Sequence, residues 1–120
     1  MPPDPILDTL TQASKDLLYP SDSDEPFTPF HWPPGPTDAR AALAANAPPP
    51  PGAKIEQLSL EAFFADLTDD PRFPALQKTL QSTLTTPTVL RIGERRILIY
   101  LLGQLPDHSW PGLKTLSVET

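Results

Sequence analysis

Thr88-Val89-Leu90-Arg91-Ile92-Gly93-Glu94-Arg95-Arg96-Ile97-Leu98-Ile99-Tyr100-Leu101-Leu102 contains two apolar runs split by a turn. Thr88 to Ile92 and Arg95 to Gln104 form the clearest hairpin signal in the chain. Gly93 at the first central position suits a two-residue type II′ turn through Gly93-Glu94. Ile97 to Leu102 is apolar without alternation. A strand of that kind is covered on both faces, which predicts layers on both sides of a sheet.

Downstream, Lys114 to Thr120 alternates. The pattern places Leu116 and Val118 on one face, where they supply the apolar burial, and Thr115, Ser117 and Glu119 on the other. Upstream, Phe73, Leu76, Leu80 and Leu84 recur at helical spacing and stop before Pro87. Ser59 caps a preceding helix that carries Leu60, Phe63, Phe64 and Leu67. Lys54 to Leu58 reads as a short strand. Residues 33–53 are rich in Pro, Ala and Gly. Thr37-Asp38 suits the cap of a short helix through Ala39–Ala45, and Pro48 to Pro51 a stiff polyproline-like connector. Phe27 to Trp32 contains Pro29 and reads as an edge strand. Residues 6–18 predict an amphipathic helix, with Asp4 as N-cap, Pro5 in the first turn and Pro20 as the stop. The element order is α-β-(α)-β-α-α-β-β-β, and no internal repeat is visible.

The bulk numbers bound the function. At 120 residues the chain is long enough for one domain, residues 1–120, with one usable core. A formal net charge of −6 argues against direct binding of nucleic acid, because phosphate contacts need a Lys/Arg surface. It suits a basic partner, whose encounter the charge accelerates. Residues 1–30 hold Asp4, Asp8, Asp16, Asp22, Asp24 and Glu25 against Lys15 alone. With no cysteine there is neither a disulfide framework nor a thiolate metal site. The N-terminus lacks the basic and apolar regions of a signal peptide, and no apolar run approaches a membrane span. The expectation is a cytoplasmic protein.

Ser21-Asp22-Ser23-Asp24-Glu25-Pro26 is the most pointed local feature: three carboxylates within four residues. Clustered carboxylates repel, so folding gains little from them. They suit a decoy for phosphates, or a group that meets a basic or metal-containing partner. The plain alternative is a solvated turn in which Asp and Ser cap backbone groups. Catalytic candidates are thin. His31, between aromatics, reads as structural, and His108 as an exposed loop residue. There is no phosphate loop, no histidine pair at metal-ligand spacing and no nucleophile elbow. The acidic turn lacks the glycine and distant glutamate of a calcium-binding EF-hand loop. At the other end, a docked last strand would hold the Thr120 hydroxyl and terminal carboxylate at a fixed place, a set of oxygens suited to Mg²⁺.

Leu17-Leu18-Tyr19-Pro20-Ser21-Asp22-Ser23-Asp24-Glu25-Pro26-Phe27 leads to Phe30-His31-Trp32. With Phe63-Phe64, Pro87 to Glu94, Tyr100, Gly103 and Val118-Glu119-Thr120, it resembles the nuclease A inhibitor-like family. The resemblance covers nearly the whole chain in the same order. It implies an α+β fold, a three-layer α/β/α sandwich with a mixed sheet in a PR-1-like arrangement. It implies a non-enzymatic inhibitor that binds a sugar-non-specific ββα-metal endonuclease, 1:1, and occludes its active site. The cofactor, a divalent metal such as Mg²⁺, would belong to the nuclease. By the same resemblance, Asp22 approaches the nuclease's active-site arginines as a scissile phosphate would, with Asp24 and Glu25 beside it. Thr120 reaches toward the nuclease's Mg²⁺. Asp69 and Asp70 match the acidic part of a third family contact. The chain departs from the pattern twice: residue 22 is Asp where the family type has Glu, and the loop at 69–70 is short and lacks the family's tryptophan. The reading from another class is a small acidic interaction or ligand-binding domain without nuclease inhibition, including a hydrolase-like site built on Asp22, Asp24 and His31.

Overall fold

The computed structural model describes residues 4–20, 24–65, 67 and 70–118. Its elements are α1 (Pro5–Ser14), β1 (Leu18–Tyr19), β2 (Glu25–Pro26), β3 (Thr28–Trp32), α2 (Ala39–Asn46), β4 (Ile55–Ser59), α3 (Leu60–Phe64), α4 (Arg72–Thr83), β5 (Thr85–Ile92), β6 (Arg96–Gln104) and β7 (Trp110–Val118). The fold is α+β. β1 and β2 form a separate two-stranded ribbon, and the other strands form one sheet in the order β3-β7-β6-β5-β4.

Every pairing in that sheet is antiparallel, which corrects the expected mixed sheet. The connections explain this. β5, β6 and β7 follow one another through short loops, and short loops join only antiparallel neighbours. The one connection of crossover kind, through α2, leads from β3 to β4, and those strands lie at opposite edges of the sheet. β3 at the edge tolerates Pro29, as expected.

Helices cover both faces of the sheet. Val89, Ile97, Ile99, Leu101 and Leu113 point into a cluster with Leu10, Phe63, Leu76 and Leu80, which come from α1, α3 and α4. The intervening residues Leu90, Ile92, Tyr100, Leu102 and Trp110 meet Ala39, Ala42 and Leu43 of α2. β6 therefore buries both faces, as its unbroken apolar run predicts.

Four local expectations change. α1 stops at Ser14, not at Pro20. Ser14 Oγ bonds back to the Leu10 carbonyl, and Asp16 takes a left-handed φ of 63°, a conformation aspartate tolerates. The β5–β6 turn is not a two-residue one: Ile92 pairs with Leu98. A two-residue turn would set Ile92 opposite Arg95 and Arg91 opposite Arg96; the longer loop avoids that like-charge pair and gives Leu90 the Tyr100 side chain as partner. β5 begins at Thr85 through a register shift between Thr85 and Thr88, where Thr86 has φ 47°. Gly103 permits this, since a Cβ there would lie 2.8 Å from Leu84 Cβ and 2.9 Å from the Thr85 carbonyl oxygen.

The fourth change concerns β7. Leu113, Thr115 and Ser117 are its buried face, while Leu116 and Val118 are only half-buried. Leu116 is paired with Leu98 on the α2 side of the sheet. The α2 cluster gathers around Tyr100 and Trp110, so the Leu116 end of that face is left partly open. Apolar burial in β7 thus comes from Trp110 and Leu113, not from Leu116 and Val118.

Candidate functional site

The described carboxylates of the acidic turn, Asp24 and Glu25, lie at the β2 end of the β1–β2 ribbon. Leu18 pairs with Pro26 and Tyr19 with Glu25. Tyr19 stacks on Phe63 at 5.6 Å and meets Phe27 edge-on at 6.4 Å; Phe27 in turn packs on Phe73 at 6.3 Å. Such aromatic pairs contribute about 0.5–1.5 kcal/mol each beyond their buried area. Thr115 Oγ1 of β7 donates to the Pro26 carbonyl at 3.1 Å and lies 3.4 Å from that of Glu25. The base of the ribbon is thereby tied to α3, α4 and β7. Asp24 is exposed with φ 45°, and Glu25 is half-buried. Ser21, Asp22 and Ser23 lie outside the described residues.

The remaining candidates divide. Asp70 precedes α4 and is held by Arg72, with Nη2–Oδ2 at 2.7 Å and both carboxylate oxygens 3.1 Å from Nε. It also caps the Arg72 amide at 2.9 Å. The hydrogen bonds from Arg72 hold its carboxyl below the ordinary value. Asp70 is thus largely spent on its own neighbour. Asp69 and Thr120 lie outside the described residues; β7 is described to Val118, which pairs with Arg96. The ribbon packs on β7 through Thr115, so Asp24 and Glu25 share the end of the sheet toward which β7 runs. Among the described residues, no group of three His, Asp or Glu side chains is arranged to hold a metal ion.

The sequence profile of nuclease A inhibitor-like proteins matches residues 4–120. The chain belongs to the nuclease A inhibitor-like family. No curated protein matches it. Family membership implies a nuclease-inhibiting role, and the ribbon of this family member carries Asp24 exposed and Glu25 half-buried.

One constellation in this inhibitor-family fold was not read from the sequence. His31 Nδ1 lies 2.6 Å from Asp4 Oδ2, and Nε2 lies 2.8 Å from Ser109 Oγ. The order Asp–His–Ser resembles a hydrolase triad, but its surroundings differ. Ser109 is 2% exposed, and its hydroxyl donates to Asp107. A nucleophile needs a hydroxyl hydrogen facing its base and an oxygen facing substrate. Here the hydrogen faces a carboxylate and the oxygen is buried. Asp4 meanwhile caps α1 through the amides of Ile6 and Leu7 at 3.0 and 3.3 Å. The His31 hydrogen bond holds the Asp4 carboxyl below its ordinary value, and the Ser109 hydroxyl does the same for Asp107. The network pins the start of α1 and the 107–109 loop to β3. His31 therefore serves this clamp, with Asp4 and Ser109 as its partners, as the structural reading of it expected. His108 is exposed. The only sequence signal for the clamp was an isolated His on a strand, and its partners are 27 and 78 residues away.

Proposed function

We propose that this protein is a non-enzymatic inhibitor of a sugar-non-specific, metal-dependent DNA/RNA endonuclease of the ββα-metal type, acting as a single domain, 1:1, in the cytoplasm. The observation that carries the reading is the family match over residues 4–120 on a chain whose Asp24 and Glu25 belong to a ribbon tied to β7. Asp22 acts as the phosphate mimic against the nuclease's arginines, flanked by Asp24 and Glu25, because charge-assisted hydrogen bonds to arginine are among the strongest available. Thr120 approaches the nuclease's own Mg²⁺. Asp69 remains a flanking contact, whereas Asp70, paired with Arg72, contributes little. No nucleic acid and no membrane is bound directly; no helix of the described residues is long and apolar enough to cross a membrane. Titration of a ββα-metal nuclease with the purified chain tests this. Activity should fall linearly to an end point near equimolar inhibitor, and full activity at large excess would overturn the proposal.

A further inference from the structure

The ribbon is amphipathic in the wrong sense for a solvated surface. Directly paired residues of an antiparallel ribbon project to the same side. The Tyr19–Glu25 pair faces the molecule, with Tyr19 stacked on Phe63. The Leu18–Pro26 pair faces outward, and both residues are exposed. Alternation would place polar residues on that outward side. Leu18 is 49% exposed and is the one large apolar side chain counted as exposed among the described residues, whereas its neighbour Leu17 is 2% exposed in the core. The early stop of α1 creates this arrangement. A helix continued to residue 18 would not send consecutive leucines to opposite sides, but the left-handed Asp16 turns the chain into a strand that does.

We propose that Leu18 and Pro26 are an apolar anchor for the nuclease, seated on an apolar shelf beside its basic cleft while the exposed Asp24 next to them meets the margin of the cleft. The inference rests on the inhibitor reading and adds to it a group that acts without charge. The occupant follows from charge complementarity: the anchor is carried beside Asp24 and Glu25 on a chain of net charge −6, so the surface that meets it must be basic at its margin. Apolar side chains packed at an interface centre act mainly on dissociation, whereas surface charge acts mainly on association.

Stopped-flow or surface-based kinetics with a ββα-metal nuclease separates the two. Wild type, Leu18→Ala and Leu18→Met are compared at two salt concentrations, each with a thermal melt. Leu18→Ala should dissociate roughly tenfold faster or more, a loss of hot-spot size. Its melt and the salt dependence of its association rate should stay unchanged, and Leu18→Met should stay within about twofold of wild type. Tight wild-type binding with an unchanged Leu18→Ala dissociation rate would overturn the anchor and leave the inhibitor reading standing. A wild type that does not bind the nuclease would overturn both.

Discussion

Two regions of this molecule concentrate carboxylates, and they use them oppositely. At the start of α1 and in the 107–109 loop, Asp4 bonds to His31 and Asp107 to Ser109, and through the His31–Ser109 contact they join elements distant in sequence. On the ribbon, Asp24 is exposed and Glu25 half-buried at the tip of a two-stranded projection. Asp70 belongs with the first kind, because Arg72 neutralises it locally. Asp4, Asp107 and Asp70 are thus tied to groups of the scaffold, whereas the ribbon acids sit beside the exposed Leu18 and Pro26. The two regions are also apart. β3 leads from Thr28 beside the ribbon to His31, about 10 Å at the usual strand rise of ~3.3 Å per residue.

The sharpest way to break this contrast is Asp22→Ala. If residue 22 opposes buried arginines, binding should weaken by roughly 2–5 kcal/mol, much of it from the partner's unpaired charge. Calorimetric titration measures it, and Asp24→Ala and Glu25→Ala should cost less. Equal small losses at all three positions would point to a diffuse acidic patch instead. Removing Thr120 should also weaken inhibition strongly while leaving the melt nearly unchanged, because β7 is held by Trp110 and Leu113.

The converse substitution is His31→Ala. It removes one hydrogen-bond partner from each of Asp4 and Ser109, which keep their own neighbours, and should destabilise the fold by about 1 kcal/mol in chemical denaturation. Inhibition below the melting transition should be retained. A variant that melts like wild type but no longer inhibits would move His31 from the scaffold to the site.

Acid should loosen the clamp. Asp4 and Asp107 have carboxyl values depressed below the ordinary 3.8, by His31 and Ser109 respectively. A depressed folded value means the unfolded chain takes up protons first as pH falls. The stabilisation is therefore complete above about pH 4 and is lost as pH drops through the folded values. Melting curves at stepped pH should show this loss, and His31→Ala should shrink the Asp4 share of it to the part held by the Ile6 and Leu7 amides. The smallest expected effect is at Asp70: Asp70→Ala should shift the dissociation constant by about twofold or less, since an exposed ion pair is of little consequence. A large shift there would place the short 69–70 loop in the contact.

Much of the fold was legible because its pattern was local. The doubly buried β6, the edge position of β3, the Asp38 and Ser59 caps and the leucine spacing of α4 all follow from spacing along the chain. What was not legible depended on competition between distant groups. The β5–β6 register departs from the Gly93-Glu94 turn signal, setting Arg91 opposite Ile99 and Leu90 opposite Tyr100. The face of β7 depends on which side of the sheet three helices occupy, so Thr115 and Ser117 are buried while Leu116 is not. The end of α1 rests on one left-handed aspartate, which no periodicity announces. Of the site, the acidic turn was visible as composition. The ribbon that flanks it, pinned by Tyr19 and Thr115, was not, and neither was the Asp4–His31–Ser109 clamp.

The most direct test of the contrast is amide hydrogen exchange of the chain alone and with an equimolar ββα-metal nuclease, read residue by residue. The ribbon amides between residues 18 and 25 should gain protection in the complex. Those of His31 and residues 107–109, tied into the clamp, should not change. Protection gained at residues 31 and 107–109 with none on the ribbon would contradict the account.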